Sequence, residues 1–448
     1  MTTSSAKAVN ERTGCMSVSR SLKASLLGCI FFTGAVAAGH GFAVAQNIAS
    51  LSPSALRDLC AKGTDYDPSR IEFACNDALR STFLDDRSKA VAHNRRAQAL
   101  VDLGHGDRAV GDFNDALVIL DKLIDADVSE PADLYQRAVA LQGLGRIDRA
   151  ILAYDQVLKR DPNVVPALVN RGTILSTAGK YGQAIADFDA AIRLMPDSVL
   201  AYMERGNAYG KTGEFARSLA DLNKAISLSP SNARAYVLRG VSLGHQGKNQ
   251  RAKADYNTAL SINPRNVDAL TDRAAIYELE GDNDKAVKDL TVAIGLLDND
   301  DDSLAHYNRG VAYFAMQQYD RALADYTAAI EIDGKMDVAY GNRCLTRVLL
   351  GRELAKASDD CDKAIALNPN GQNLYNVRGF VDLKLGRNDQ ALADYNTALK
   401  LDPNSPHALY GRGLAKKRRG DVDGEADLAA ARAARPNIEQ SFSMFGVF

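Results

Sequence analysis

Asp298, Asp300 and Asp302 alternate as the first three ligands of a calcium loop do. The pattern then fails. Ser303 stands where a glycine must turn the loop, and Arg309 where a bidentate glutamate must close the cage. A polar turn in which Ser303 caps the next helix explains the stretch better, with some calcium affinity as the alternative. Gly206-Asn207-Ala208-Tyr209-Gly210-Lys211-Thr212 resembles a phosphate loop but is one residue short, and it follows no strand. His93, His105, His245, His306 and His407 are scattered, with no H-E-x-x-H and no cysteine at ligand spacing. There is no C-x-x-C, so the cysteines do not read as redox chemistry. The chain therefore reads as a non-enzyme with no catalytic residues, no cofactor and no metal.

The elements that carry these residues are short amphipathic helices. Val165–Pro196 shows the plan. Leu168, Arg171, Gly172 and Leu175 recur at helical spacing, and Gly179 breaks the run. Ala184, Phe188 and Ala191 continue the spacing, and Pro196 stops it. The recipe returns 34 residues later as Tyr202, Arg205, Gly206, Tyr209, Gly213, Leu222, Ala225 and Pro230. Such units bury their apolar faces against neighbours, so length does not set a domain count here.

A period near 34 with a large residue, Gly, an aromatic, Ala and a closing Pro resembles the tetratricopeptide repeat (TPR) family. The resemblance covers most of the chain after about residue 90. It implies an all-α fold, an α-solenoid of antiparallel helix pairs in a right-handed superhelix, used as a binding scaffold. The units are read as 90–123, 131–164, 165–198, 199–232, 233–266, 267–302, 303–336, 337–371, 372–405 and 406–436. Residues 117–130 lengthen one second helix and its exit. Residues 46–88 read as a degenerate helix pair acting as a cap, with Ser52 or Ser54 at the first helix start. Residues 89–436 form the solenoid. Residues 437–448, with Phe442, Met444, Phe445 and Phe448, form an apolar tail that straps the open end or, alternatively, binds a partner.

The first residues stand apart. Ala24–Val44 carries no charge, Arg20 and Lys23 precede it, and Ala43-Val44-Ala45 offers small residues for a signal peptidase. Residues 1–45 thus read as a cleavable signal peptide, with Met1 or Met16 as the start and a periplasmic or secreted destination. An uncleaved anchor, or a lipoprotein box ending at Cys29, are the alternatives. Membrane contact follows only if the segment is retained. Cleavage leaves 50 basic and 55 acidic side chains, a balance that argues against a nucleic-acid partner.

Cys60, Cys75, Cys344 and Cys361 then remain. Cys344 takes the small position of a first helix and Cys361 the aromatic position of the next, which antiparallel helices set opposite each other. Cys60 and Cys75 lie in an analogous pair. The expected disulfides are Cys60–Cys75 and Cys344–Cys361.

Two polar positions recur. Arginines 96, 137, 171, 205, 239, 273, 309, 343, 378 and 412 precede the small residue of each first helix. Aspartates 112, 187, 221, 255, 289, 325, 360, 394 and 427 precede the second helix's aromatic or its substitute. An Arg–Asp ladder that sets register follows, rather than an anion stripe, with Arg137 as its weak point.

In TPR proteins the first helices line a concave groove. The resemblance places Asn207, Lys211, Arg234, His245, Thr271 and Glu278 there, and then Tyr307, Val311, Phe314, Leu345, Val348, Phe380 and Leu383 as an apolar wall. That wall suits an extended or apolar peptide, unless its residues pack between repeats instead. The Lys-and-Asn set that clamps a terminal carboxylate in chaperone-binding relatives is not matched. The expected function is a non-catalytic exported scaffold or adaptor that binds a protein or peptide segment. A self-assembling architectural protein, or a non-catalytic subunit of an envelope enzyme or secretion complex, is the alternative.

Overall fold

The computed structural model describes residues 52–62, 67–81, 84–127, 129–297 and 302–444. Residues 1–45, expected above to be a signal peptide, and Asp298, Asp300, Phe445 and Phe448 lie outside them. The described residues are helical with no strand, an α-solenoid of consecutive packed helix pairs. The described residues divide into two compact units, one up to Ala269 and one from Leu270.

The first unit holds α1 (Pro53–Lys62), α2 (Pro68–Arg80), α3 (Asp86–Asp102), α4 (Gly106–Asp125), α5 (Pro131–Gly143), α6 (Ile147–Arg160), α7 (Val165–Thr177) and α8 (Tyr181–Leu194). It continues with α9 (Val199–Lys211), α10 (Phe215–Leu228), α11 (Ala233–His245) and α12 (Asn249–Ile262). The second begins in α13 (Val267–Glu280) and holds α14 (Asn283–Gly295), α15 (Ser303–Ala315), α16 (Tyr319–Ile332), α17 (Asp337–Leu350) and α18 (Leu354–Leu367). It closes with α19 (Gln372–Lys384), α20 (Asn388–Leu401), α21 (Pro406–Arg419), α22 (Gly424–Ala434) and α23 (Ile438–Met444).

Local chemistry starts and stops these helices. Ser52, rather than Ser54, accepts the Ala55 amide at the start of α1. Ser198, Asn232 and Ser405 cap α9, α11 and α21 by accepting the third amide onward. Asp302 caps α15 by accepting the amides of Leu304 and Ala305. The expected cap Ser303 is the first helical residue instead, because a carboxylate outcompetes a hydroxyl for amides at the positive helix end. Within each pair from α3 onward the turn holds a left-handed residue, usually glycine, as at Gly213 and Gly386. Gln317 takes that place between α15 and α16 with φ 60°. Gln317→Gly is expected to raise the unfolding midpoint of its unit, a gain of about 0.5–1 kcal/mol in a urea titration.

Between the helices of a pair, the glycine of the first receives the aromatic ring of the second. A Cβ on Gly379 would meet the Tyr395 ring at 2.8 Å, and one on Gly172 the Phe188 ring at 2.8 Å. In α17 the small residue is Cys344, and Cys361 of α18 replaces the ring. The two are joined by a disulfide with Cα atoms 5.6 Å apart, in a cluster with Val348, Ala357 and Val381. Cys60 and Cys75 are joined across α1 and α2 with Cα atoms 4.9 Å apart. Each bond closes a short loop, of sequence separation 15 and 17. Replacing Cys344 and Cys361 by Ala is expected to cost about 3 kcal/mol, read as a lower urea midpoint that added reductant reproduces in the wild type.

At the chain's end, α23 packs on α21 and α22. Ile438 and Phe442 are fully buried in the cluster that holds Phe380, Tyr395 and Tyr410. The tail covers apolar surface as a strap would.

Candidate protein-binding surface

The ladder aligns the first helices. Arg205 Nε and Nη2 donate to the two oxygens of Asp221 at 2.7 Å each. The same fork joins Arg171 to Asp187, Arg239 to Asp255, Arg273 to Asp289, Arg309 to Asp325 and Arg378 to Asp394. The planar guanidinium matches a carboxylate, which favours Arg over Lys here. A third donor reaches back to the preceding second helix. Arg205 Nη1 meets Asp189 at 2.6 Å, Arg171 meets Asp155, Arg378 meets Asp362 and Arg239 meets Asn223. Each such arginine therefore ties two repeats. Arg137 is not the gap expected of it. Ala153 leaves no acid ahead, but Asp121 of the elongated α4 accepts from its Nε at 2.6 Å. These arginines are committed to carboxylates and form no free anion stripe.

The seven apolar wall residues separate into two groups. Tyr307, Val311, Phe314 and Leu345 are half-buried on α15 and α17. Val348, Phe380 and Leu383 are buried and offer no free surface. Val348 belongs to the disulfide cluster between α17, α18 and α19. Phe380 lies under Phe442 of α23, ring centres 4.2 Å apart, and Phe442 also meets Tyr410 at 4.6 Å. Leu383 is buried in the same cluster.

Tyr307 is held in place. Its ring lies 5.9 Å from that of Tyr326, and its hydroxyl accepts from Asn342 Nδ2 at 3.2 Å. Phe314 meets Tyr319 edge-on at 5.4 Å. Near this aromatic pair stands Glu278 of α13, whose charge raises the pKa of Tyr307 and Tyr326 further than burial alone does. Burial pushes the Glu278 carboxyl up to about 8. Its Oε1 is closed to water and has no hydrogen-bond partner, and the same holds for Thr271 Oγ1 on that helix.

The polar set of the first unit is mixed in its exposure. Arg234 is paired with buried Glu204 at 2.7 Å. His245 is exposed and stacks on Phe215 at 5.7 Å, with burial and then the Lys211 charge lowering its pKa. Lys211 is exposed, and Asn207 half-buried.

Gly206 to Lys211 lie inside α9, a helix and not a phosphate-binding turn. One group among the described residues has metal-ligand spacing, namely His93, Asp112 and Asp115. Arg96 already occupies both Asp112 oxygens, and His93 Nδ1 lies 2.8 Å from one of them. The same His–Asp contact recurs at His306 and Asp325, which marks it as part of the repeat.

TPR profiles agree with this geometry. Tetratricopeptide repeat profiles match residues 135–199, 233–266, 255–288 and 303–336, and a TPR repeat profile matches 206–247 and 379–420, together half of the chain. The chain belongs to the tetratricopeptide repeat family. As a TPR protein it has an architecture suited to protein–protein interaction. It is similar to Heat shock protein STI1 of Saccharomyces cerevisiae, 30% identical over 29% of this chain and 22% of that one. It is likewise similar to Hsp70-Hsp90 organizing protein 2 of Arabidopsis thaliana, 31% identical over 26% of this chain and 21% of that one. The chain thus spans about a fifth of each relative's length. Among solved structures, YrrB, described as a TPR protein with an unusual peptide-binding site, is 27% identical. That match covers 41% of this chain and 92% of YrrB with a TM-score of 0.35.

Proposed function

We propose that this protein is a non-catalytic scaffold that binds a protein or peptide segment on the first-helix face of residues 270–444, at Tyr307, Val311, Phe314 and Leu345. One observation carries this reading. The same face, two repeats on, already holds a piece of polypeptide: Phe442 of α23 is seated on Phe380 of α19 and Tyr410 of α21. A helical segment presenting an aromatic anchor is the occupant that such a face suits. The relatives named for organising Hsp70 and Hsp90 support a protein-handling role of this general kind. The uncharged run Ala24–Val44, with its basic flank and Ala43-Val44-Ala45, supports export and cleavage near residue 45. Four cysteines joined as two disulfides suit an oxidising compartment.

The test is a pull-down from envelope extract with residues 46–448, beside a Tyr307→Ser/Phe314→Ser/Leu345→Ser variant whose helicity is checked by circular dichroism. A partner captured by the wild type and lost by the folded variant supports the reading. A partner retained by the variant removes the site from this face. A partner that proves to be a second copy of the chain favours the self-assembling alternative.

A further inference from the structure

A cleft of about 620 Å³ opens between α6 and α8 of the first unit. Leu158 of α6 and Leu168 of α7 are buried and form its apolar floor. Pro162 and Leu194 stand exposed at its mouth. Ala190 lines it with a single methyl, where the corresponding place holds Gln156 in α6 and Lys224 in α10. Sites that bury a ligand run from about 300 to about 1,000 Å³.

Three cations and two carboxylates line the cleft, which leaves one net positive charge. Arg171 holds both acids, its Nε donating to Asp187 at 2.8 Å and its Nη1 to Asp155 at 2.7 Å. Lys159 on α6 and Arg193 on α8 are left over. Both are exposed, and among the described residues neither has a hydrogen-bond or ion-pair partner. These two cations are not part of the repeat plan. They stand six residues after Ala153 and Asp187, the ladder's acid position. The same place holds Val118 in α4, Ser227 in α10, Ser261 in α12 and Glu331 in α16. Lys400 of α20 is a cation there, but Ala366 and Ala433 occupy the place on the second helices before and after it. The dipole of a helix end explains one such cation. It does not explain two on neighbouring helices at one open cleft, where like charges repel.

We propose that this cleft takes an aspartate or glutamate of a partner polypeptide together with an apolar side chain beside it, the carboxylate held by Lys159 and Arg193. One carboxylate neutralises the net charge of the cleft and accepts charge-assisted hydrogen bonds from both donors. The neighbouring apolar side chain covers Leu158 and Leu168. A phosphate group fits less well. It carries close to two charges, it would approach Asp155, whose side chain is 48% exposed, and it brings nothing apolar for the floor. All the lining residues belong to the first unit, so this site is independent of the surface on α15 and α17.

Selection of a phage-displayed random 12-residue library on the full chain tests this. Selected peptides are expected to include a class with Asp or Glu next to an apolar residue. A synthetic peptide of that class is then titrated by fluorescence anisotropy against wild type and three variants, each checked for helicity. Lys159→Ala/Arg193→Ala is expected to bind roughly tenfold more weakly or worse. Ala190→Gln, which narrows the cleft with the side chain that α6 already carries, is expected to weaken binding as well. Lys400→Ala removes an exposed cation from the same register position in the other unit and is expected to change nothing. Undiminished binding to the double variant overturns the assignment. Equal weakening by Lys400→Ala does so too, since it reduces the effect to general charge attraction. Absence of any acidic class among the selected peptides also overturns it. Displacement of the peptide by millimolar inorganic phosphate, but not by acetate, reassigns the cleft to a phosphate group and overturns the carboxylate reading.

Discussion

Arg378→Met is expected to lower the stability of the C-terminal unit by about 3 kcal/mol, read from the urea midpoint of residues 46–448. The reason is the carboxylate left behind. Asp394 is 5% exposed, and Arg378 Nε and Nη2 donate to its two oxygens at 2.8 Å and 2.6 Å. Methionine keeps the stem but removes both donors, so a buried charge loses its compensation. The other arm of the same guanidinium behaves differently. Asp362 accepts Nη1 at 2.6 Å, but its side chain is 58% exposed. Asp362→Ala is expected to cost under about 1 kcal/mol, because water replaces the partner. The double variant Arg378→Met/Asp394→Leu removes both charges together. It is expected to recover most of the loss, since replacing a whole buried pair by apolar groups is close to neutral. A loss in the double variant as large as in Arg378→Met would show that the pair sets register rather than balancing charge.

The ladder was readable because its two members recur at fixed places in every unit but that of Arg137, where Ala153 replaces the Asp. Its backward arm was equally available, since Asp155, Asp189 and Asp362 each precede an arginine by 16 residues, but a one-sided pairing rule passes over it. The helix pairs followed from periodicity, and so did the turn glycines. The wall was legible only in part. Helical spacing puts Val348 and Leu345 near one stripe, yet one turn decides which of them faces a neighbouring helix. Val348 packs into the disulfide cluster while Leu345 stays half-buried. Phe380 is covered by Phe442, a residue far along the chain whose position depends on tertiary packing. Glu278 was recognisable as a groove position. That its Oε1 lacks a donor was not, because absence of a partner depends on every surrounding helix.

That same carboxyl makes the stability of the second unit depend on pH. Its ordinary value is 4.5, and burial pushes it up to about 8. Below 4.5 it holds a proton both folded and unfolded. Between the two values the unfolded chain releases the proton while the folded chain keeps it, so raising the pH favours unfolding. The stabilising contribution is complete below the unfolded value and lost as the pH rises through about 8. Asp382, pushed up to about 6 by burial and by Asp394, acts in the same direction at lower pH, with Arg387 opposing. His407 acts in the opposite sense. Burial and Arg435 lower it from 6.5 to about 4, so its neutral form is favoured in the fold and stability falls with the pH through that window. Between about pH 6.5 and about pH 9 the Glu278 effect stands alone among these three. The expected loss there is at most about 2 kcal/mol, since only the span from about pH 6.5 to about 8 contributes and each unit is worth about 1.4 kcal/mol. Hydrogen exchange of the α13 and α15 amides reads this locally, with protection falling as pH rises after correction for the intrinsic rate. Glu278→Gln, which cannot ionise, is expected to hold its protection level across the range. A wild type as flat as the variant would mean that the carboxyl is already ionised at the acidic end of that range, and that a donor reaches it in solution.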